Sequence, residues 1–355
     1  MRDLISVSER CPNCLIPLSS PGVFITETGI CNLCRDYHAV EIKGENTLRN
    51  DLFYKNSKPS QYDCLVPISG GLDSVYTAFY LVRKMGLNCL GVHYDNGMSS
   101  AIKDKMLAWI EKELGMQIVV YSWQKENSRK LVRDSVRTLV DVGPQAMQAS
   151  LCRHCGYGIR AAVYSEMVRN NLHSVWGKHT IDHIPFRYCV AVPLKKQILQ
   201  RHGLDGLRAL YGRYQQSKDL PSPGSKPFEL LVTPMGYPSM PESHSHLKNL
   251  TFFEYIPWNK ARMLNELEQD GVHIQALSGF HSDCNLAPIV DRVLQSAWTV
   301  GKKEIYLCNM LRDGQLTKDE AWQQIQRLHS IDLDTSFLSE IGLTEGEIHA
   351  LLRES

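Results

Sequence analysis

The sequence predicts an α/β fold: a doubly wound parallel sheet, preceded by a small cysteine-rich module and followed by a helical tail. Three observations predict it. Short apolar runs alternate with helical periodicity between residues 62 and 176, a pattern typical of parallel strands covered by helices on both faces. Two Cys-x-x-Cys pairs lie within the first 40 residues. The last part of the chain shows helical patterns without strands.

The elements of the sheet follow one another closely. Apolar runs predict strands at 64–68, 89–94, 117–121 and 174–176. Apolar residues at helical spacing predict helices at 74–85, 101–114 and, with a break, 126–173. We divide the chain into a module at 1–40, a linker at 41–61, an α/β domain at 62–300 and a tail at 301–355. Proline and glycine cluster within the stretch from about 185 to 250, which we interpret as an irregular insertion.

Composition narrows the class of protein. Of the 355 residues, 43% are hydrophobic and 22% charged, as in ordinary globular proteins. The formal net charge of +1 lacks the basic excess that a dedicated nucleic-acid binder carries. No secretory signal opens the chain, and no apolar run reaches the roughly 18 residues of a membrane span. We therefore expect a cytoplasmic protein without a membrane partner, in which 11 cysteines indicate metal binding or catalysis rather than disulfides.

The clearest functional motif follows the first predicted strand. Its residues are Ser69-Gly70-Gly71-Leu72-Asp73-Ser74. Glycines let the backbone approach an anion closely, and N–H groups at the start of a helix bind phosphate with the help of the helix dipole. We expect Ser69 and Ser74 to add hydroxyl donors and Asp73 to hold Mg²⁺ or orient the loop.

A strand followed by S-G-G-x-D-S and a helix resembles the PP-loop, or N-type, ATP pyrophosphatases. The resemblance implies an adenine-nucleotide α-hydrolase-like fold, with ATP and Mg²⁺ at the loop and cleavage between the α- and β-phosphates. It extends to the end of the second strand, and it implies that Asp95 and Gly97 lie by the nucleotide.

A second motif lies further along the chain, where Cys152 and Cys155 form C-x-x-C-G and a later strand leads into Gly177 and Asp182. This order of residues is similar to that of the tRNA thiolases of the same superfamily and of the related 6-thioguanine biosynthetic enzymes. The resemblance implies that Gly177 and Asp182 approach the phosphates and their metal. It also implies that the two cysteines, with Cys284, hold an iron–sulfur cluster or pass sulfur along. A second structural zinc site or buried thiols remain the alternative, since C-x-x-C alone does not discriminate.

The first 40 residues carry a third motif, formed by Cys11, Cys14, Cys31 and Cys34. Two C-x-x-C knuckles separated by 16 residues match a zinc ribbon, in which Zn²⁺ closes a module too small for its own core. This head, together with residues 311–321, also resembles the N-acetyl sugar amidotransferases, which are PP-loop enzymes too. That resemblance implies ammonia from a partner glutaminase.

We expect an enzyme that adenylates a substrate carbonyl oxygen, releases pyrophosphate and replaces the oxygen by sulfur. A small free nucleobase, such as guanine converted to 6-thioguanine, is favoured over tRNA because the net charge is near zero. A sulfur donor or donor protein would supply the sulfur. The sequence leaves open whether the chain forms a homodimer. The alternatives are an N-acetyl sugar amidotransferase and a nucleotide-binding regulatory protein without turnover.

Overall fold

The computed structural model describes thirteen stretches and one single position of the chain. They are residues 4–39, 41–53, 60–95, 97–98, 100–122, 129, 132–133, 136–137, 153–178, 231–232, 238–240, 242–272, 284–330 and 333–352. Within them lie a five-stranded sheet, a two-stranded sheet and eleven α-helices.

The five-stranded sheet is parallel throughout and has the strand order β3-β2-β1-β4-β7. Its strands are β1 (Cys64–Pro67), β2 (Cys89–Asp95), β3 (Ile118–Ser122), β4 (Ser174–Trp176) and β7 (Asn249–Thr251). A short antiparallel pair is formed by β5 (Leu231–Val232) and β6 (Pro238–Ser239). The first four strands confirm the predicted ones, whereas sequence analysis did not predict β7.

The helices lie around the sheet and in the tail. In the first half of the chain they are α1 (Asn32–Arg35), α2 (Glu45–Phe53), α3 (Leu72–Phe79), α4 (Ala101–Glu113) and α5 (Arg153–Asn170). A π-helical turn, Tyr80–Lys84, continues α3. Next come α6 (Lys260–Gln269), α7 (Ala287–Trp298), α8 (Lys302–Arg312), α9 (Lys318–Ser330), α10 (Ser336–Glu340) and α11 (Glu345–Leu352). No helix among the described residues is long and apolar enough to cross a membrane.

Two apolar layers cover the two faces of the sheet, because successive strand side chains point to opposite faces. Cys64 and Val66 of β1 lie in one layer with residues of α3, α4 and α6. Leu65, between them, lies in the other layer with Ala162, Val163 and other residues of α5. All these side chains are buried. The structure therefore confirms the doubly wound α/β class.

The strand order creates a switch point between β1 and β4. From β1 the chain moves outward to β2 and β3, and β4 then returns to the other side of β1 and continues to β7. In open α/β sheets, ligands bind beside the carboxyl ends of the strands at such a point. A ligand site is therefore expected at the segments that follow β1, β2 and β4.

The N-terminal module packs against the C-terminal tail. Cys11, Cys14 and Cys31 share an apolar cluster with residues of α7, α8, α10 and α11. Cys308 of α8, which received no role from the sequence, is fully buried in that cluster. The two ends of the chain thus form one packed unit.

Candidate nucleotide and metal sites

The loop after β1 has a backbone that only glycine suits at one position. Gly70 has φ of +91°, a conformation that side-chain-bearing residues rarely adopt. A Cβ on Gly70 would also lie 2.9 Å from Cα of Lys103 in α4. Gly71, in an extended conformation, then caps α3. The loop is thus held close to α4 just before the start of α3.

Serine hydroxyls organise this loop. The buried Ser74 hydroxyl oxygen accepts hydrogen bonds from the Ser69 and Gly70 N–H groups, at 3.2 and 3.3 Å, and donates to the Gly71 carbonyl at 3.0 Å. The Gly71 N–H donates to the Ser69 hydroxyl at 3.2 Å. The expected phosphate-binding N–H groups are therefore paired with serine oxygens here, and a bound phosphate would replace those contacts.

Asp73 lies in the first turn of α3 and meets a segment that sequence analysis left without a role. Its Oδ1 accepts a hydrogen bond of 2.9 Å from the indole N–H of Trp258. Two residues later, Lys260 begins α6. Burial lowers the pKa of Lys260, and the negative charge of Asp73 opposes that shift. A carboxylate and an indole donor thus meet at the loop, and the partly desolvated Lys260 ammonium group interacts electrostatically with that carboxylate.

Gly177 brings the end of β4 against the same helix. A Cβ at Gly177 would lie 2.6 Å from the Asp73 carbonyl oxygen and 2.7 Å from the Thr77 hydroxyl, which itself donates to that carbonyl. No other residue type would fit without displacing backbone. Gly177 therefore lies beside the 69–74 loop.

The end of β2 completes this edge. His93 is buried, and its Nδ1 lies 2.7 Å from the carbonyl oxygen of Ile68, the residue before Ser69. Asp95 accepts a hydrogen bond of 3.0 Å from the Gly97 N–H, and Gly97 has φ of +73°. Asp95, at the end of the strand next to β1, and Gly97, just beyond it, are thus in contact.

Two of the three cysteines expected to carry sulfur chemistry can be placed along the chain. Cys155 lies in the first turn of α5, and a Cβ on Gly158, one turn later, would clash with the ring of Tyr94 in β2. Next to the partly buried Cys284, the Asn285 N–H donates to the Met98 carbonyl at 3.0 Å. Both segments therefore contact the stretch 94–98. Cys152 and Asp182 lie outside the described residues.

The four N-terminal cysteines form a compact cluster. Their sulfurs all lie within 4.8 Å of one another, with Cys11–Cys34 at 3.8 Å and Cys14–Cys31 at 3.7 Å. A tetrahedron with Zn–S bonds of about 2.3 Å has edges of about 3.8 Å. The donor set and its dimensions fit Zn²⁺. Arg312 of α8 donates to two of these sulfurs, to Cys14 at 3.1 Å and to Cys34 at 3.4 Å.

Sequence analysis missed three residues of these sites: Trp258, Lys260 and Arg312. Each lies far along the chain from its partner, 185 residues for Trp258 and Asp73 and 298 for Arg312 and Cys14. The one local signal is Asn259, whose side chain accepts a hydrogen bond from the Arg262 N–H and caps α6. That cap predicts a helix start, but it says nothing about Asp73.

Comparisons with known proteins give likenesses to solved structures. The NMN synthetase of Francisella tularensis is 12% identical over 80% of this chain and 90% of its own, with a TM-score of 0.38. The U34-tRNA thiolase NcsA of Methanococcus maripaludis, solved with its [4Fe-4S] cluster, is 13% identical over 97% of this chain and 96% of its own, with a TM-score of 0.37. At these values nothing about activity follows from either protein. No protein-family model and no curated protein matches the chain.

Proposed function

We propose that this chain is an adenylating enzyme of the PP-loop type, which activates a substrate carbonyl oxygen with ATP so that sulfur can replace it. One observation carries the proposal. The S-G-G-x-D-S loop follows β1 at the switch point of the sheet, and Gly177, which directly follows β4, lies against its helix. Asp95, at the end of the neighbouring strand, accepts a hydrogen bond from Gly97. Three segments distant in sequence thus meet where a nucleotide would bind.

In the proposed reaction, the substrate carbonyl oxygen attacks the α-phosphorus of ATP and pyrophosphate leaves. Asp73 and Asp95 would hold Mg²⁺, which neutralises phosphate charge. The N–H groups of 69–71 would turn from the serine oxygens to the phosphates and stabilise the charge that develops. Lys260 offers an ammonium group close to Asp73 for the same purpose. Sulfur then adds to the activated carbon and AMP leaves with the former carbonyl oxygen.

The cysteines support sulfur as the nucleophile. The helix that carries Cys155 and the segment that carries Cys284 both contact the stretch 94–98, next to the proposed nucleotide site. With Cys152, they would hold an iron–sulfur cluster with one open iron site for sulfide, or one of them would carry a persulfide. Asp182 is proposed to approach the phosphates. The proposed acceptor is a free nucleobase such as guanine, with a tRNA base second, and the sulfur comes from a donor or donor protein.

The second candidate is an N-acetyl sugar amidotransferase that takes ammonia from a partner glutaminase. It is favoured by the contact between the two segments that carry this resemblance: Arg312, within 311–321, bonds to the ribbon cysteines Cys14 and Cys34. In this case the ribbon and tail form one docking unit for a partner, and Cys155 and Cys284 are structural.

An oxygen label tests the first step of both candidates. Under anaerobic conditions, the purified protein is incubated with Mg·ATP, sulfide and guanine that carries ¹⁸O at its carbonyl. A tRNA transcript is tested in parallel. The proposal predicts that AMP carries the ¹⁸O from guanine and that the product contains sulfur. Thiolated product together with unlabelled AMP would contradict adenylation of the carbonyl oxygen. Labelled ammonia in place of sulfide, with an N-acetyl sugar labelled with ¹⁸O at its acetyl carbonyl in place of guanine, tests the amidotransferase alternative.

A further inference from the structure

Helix α8, the first helix of the tail, is joined to the four-cysteine module by two buried contacts of charged side chains. At its end, Arg312 is only 8% exposed and donates to the sulfurs of Cys14 and Cys34. Near its start, Glu304 accepts a hydrogen bond of 2.5 Å from Arg10, which directly precedes Cys11. Both members of that pair are buried. The ribbon is therefore attached to α8 at two points.

The contact at Arg312 suits a loaded metal site. Four thiolates around one Zn²⁺ leave a net charge of −2, and a buried net charge is costly unless a counter-charge lies beside it. The Arg312 guanidinium supplies a positive charge and two donors in a fixed planar geometry, which lysine cannot match. Partners of this kind, which hydrogen bond to metal ligands, commonly change metal affinity about 10- to 100-fold when mutated.

Another face of α8 contacts the segment beside the nucleotide loop. The ring of Tyr306 packs edge-on against Trp258, with centroids 5.7 Å apart and planes at 85°. Just beyond α8, the Gln315 side chain donates to the Trp258 carbonyl at 3.0 Å and accepts from the Lys260 N–H at 3.4 Å. Trp258 in turn donates to Asp73. A continuous set of contacts therefore runs from the cysteine sulfurs to the Asp73 carboxylate.

We propose that α8 couples metal binding at the four-cysteine cluster to the position of Asp73, with Arg312 and Trp258 as its positioning residues. The consequence for catalysis rests on the proposed function, in which Asp73 acts on Mg·ATP. The coupling itself is a property of the folded chain and needs no turnover. Loss of the ribbon metal is expected to loosen α8, then Trp258, and finally the 69–79 segment.

Hydrogen exchange on the full chain tests this coupling, together with a zinc-affinity titration. Arg312→Gln removes the guanidinium, and Arg327→Gln is the matched control because Arg327 is an exposed arginine on the neighbouring α9. Trp258→Phe removes the indole N–H but keeps an aromatic ring against Tyr306. Trp109→Phe, on α4, is its control. Wild type is measured with zinc and after zinc removal by a chelator.

We expect Arg312→Gln to weaken zinc binding at least about tenfold and to speed exchange in 302–312, 256–260 and 69–79. Trp258→Phe should speed exchange in 69–79 and leave 302–312 as in wild type. It should weaken zinc binding less than Arg312→Gln does, because only the coupling to 69–79 is lost. In the double variant the 69–79 segment should exchange no faster than in Trp258→Phe, because the contact is already broken. The proposal is overturned if zinc removal, or Arg312→Gln, speeds hydrogen exchange in α8 while 69–79 exchanges as in wild type. So does an equal effect of Arg327→Gln. Inactivity towards every nucleobase tested would count against the proposed function but would leave this result unchanged.

Discussion

Single side chains fix the backbone at the carboxyl edge of the sheet. The Ser74 hydroxyl accepts hydrogen bonds from the N–H groups of Ser69 and Gly70. His93 of β2 is hydrogen bonded to Ile68, the residue before Ser69. Within the part of the chain that the structure describes, the buried Nε2 of His93 has no hydrogen-bond partner. The ring is therefore neutral, with its proton on Nδ1 and donated to Ile68.

The neutral state of His93 gives a prediction about acid stability. Burial lowers the pKa of His93 below its ordinary value of 6.5, although the hydrogen bond to Ile68 opposes the shift. As pH falls below 6.5, the unfolded chain takes up a proton that the folded chain does not. The free energy of unfolding should therefore fall, by at most about 1.4 kcal/mol per pH unit for one proton. Above pH 6.5 this contribution is constant.

Denaturant unfolding of wild type and His93→Gln, between pH 7.5 and 5, measures the effect. The difference in unfolding free energy between the two proteins should shrink as pH falls from 6.5. A difference independent of pH over this range would show that His93 is protonated in the folded protein as readily as in the unfolded chain.

At the scale of residues, the sequence predicted what is contiguous and missed what is distant. The 69–74 loop and the C-x-x-C pairs are visible because ligands within a few residues of one another leave a spacing pattern. The cysteine cluster matches that spacing in three dimensions. Trp258 and Arg312 contact their partners only because of the tertiary fold, so no local sequence pattern predicts their roles.

At the scale of elements, the packing of β4 against α3 depends on one missing side chain. Gly177 leaves room for the Asp73 carbonyl and the Thr77 hydroxyl, which a Cβ would approach to 2.6 and 2.7 Å. Gly177→Ala should therefore destabilise the protein by about 1–3 kcal/mol, the usual cost of overpacking. Its matched control is Gly156→Ala in α5, because a Cβ there would meet no described residue within 4 Å.

Thermal or denaturant unfolding of the two variants measures the difference. Gly156→Ala should stabilise by up to about 1 kcal/mol, since alanine favours helices more than glycine does. If Gly177→Ala were as stable as wild type, the end of β4 could not press on α3 as closely as the structure has it.

Strand β7 is the strand of the five-stranded sheet that sequence analysis did not predict. Strands β1 to β3 are four to seven residues long, and their apolar runs are followed by helical periodicity. Strand β7 has three residues, and its sequence, Asn249-Leu250-Thr251, buries one side chain. Such a segment carries too little pattern to separate it from a loop. It becomes a strand because it pairs with β4.

At the scale of the whole molecule, two metal sites are proposed, one at the four-cysteine cluster and one at the cysteines expected to carry sulfur chemistry. Protein purified without oxygen should contain about one zinc and, if the cysteines hold a cluster, about four irons with sulfide. Cys14→Ser should lose zinc and retain iron. Cys284→Ser should lose iron and retain zinc. Cys89→Ser, in β2, is the control and should retain both.

Metal analysis and acid-labile sulfide assays decide between these outcomes. Zinc without iron in the wild-type protein would exclude the cluster and leave persulfide transfer or amidotransfer. Zinc that survives Cys14→Ser would show that the ribbon is not its site.

The class of the sheet followed from the alternation of strands and helices, since such alternation has few solutions. The strand order was not predicted, because β7 carries too little pattern to be recognised. The packing of the first 40 residues on the helices between 287 and 352 could not be predicted, because no local pattern in either segment indicates that the two are in contact. It depends on buried contacts such as Arg10 with Glu304 and Arg312 with Cys14.

The central claim is that the 69–74 loop binds ATP for cleavage between the α- and β-phosphates, and the nucleotide products test it most directly. Wild type and Asp73→Asn are incubated with Mg·ATP and each candidate acceptor, and the products are resolved by ³¹P NMR. We predict AMP and pyrophosphate in equal amounts from wild type, and a loss of at least about 100-fold in Asp73→Asn with the fold intact. ADP and phosphate as the products, or unchanged pyrophosphate release by Asp73→Asn, would contradict the claim.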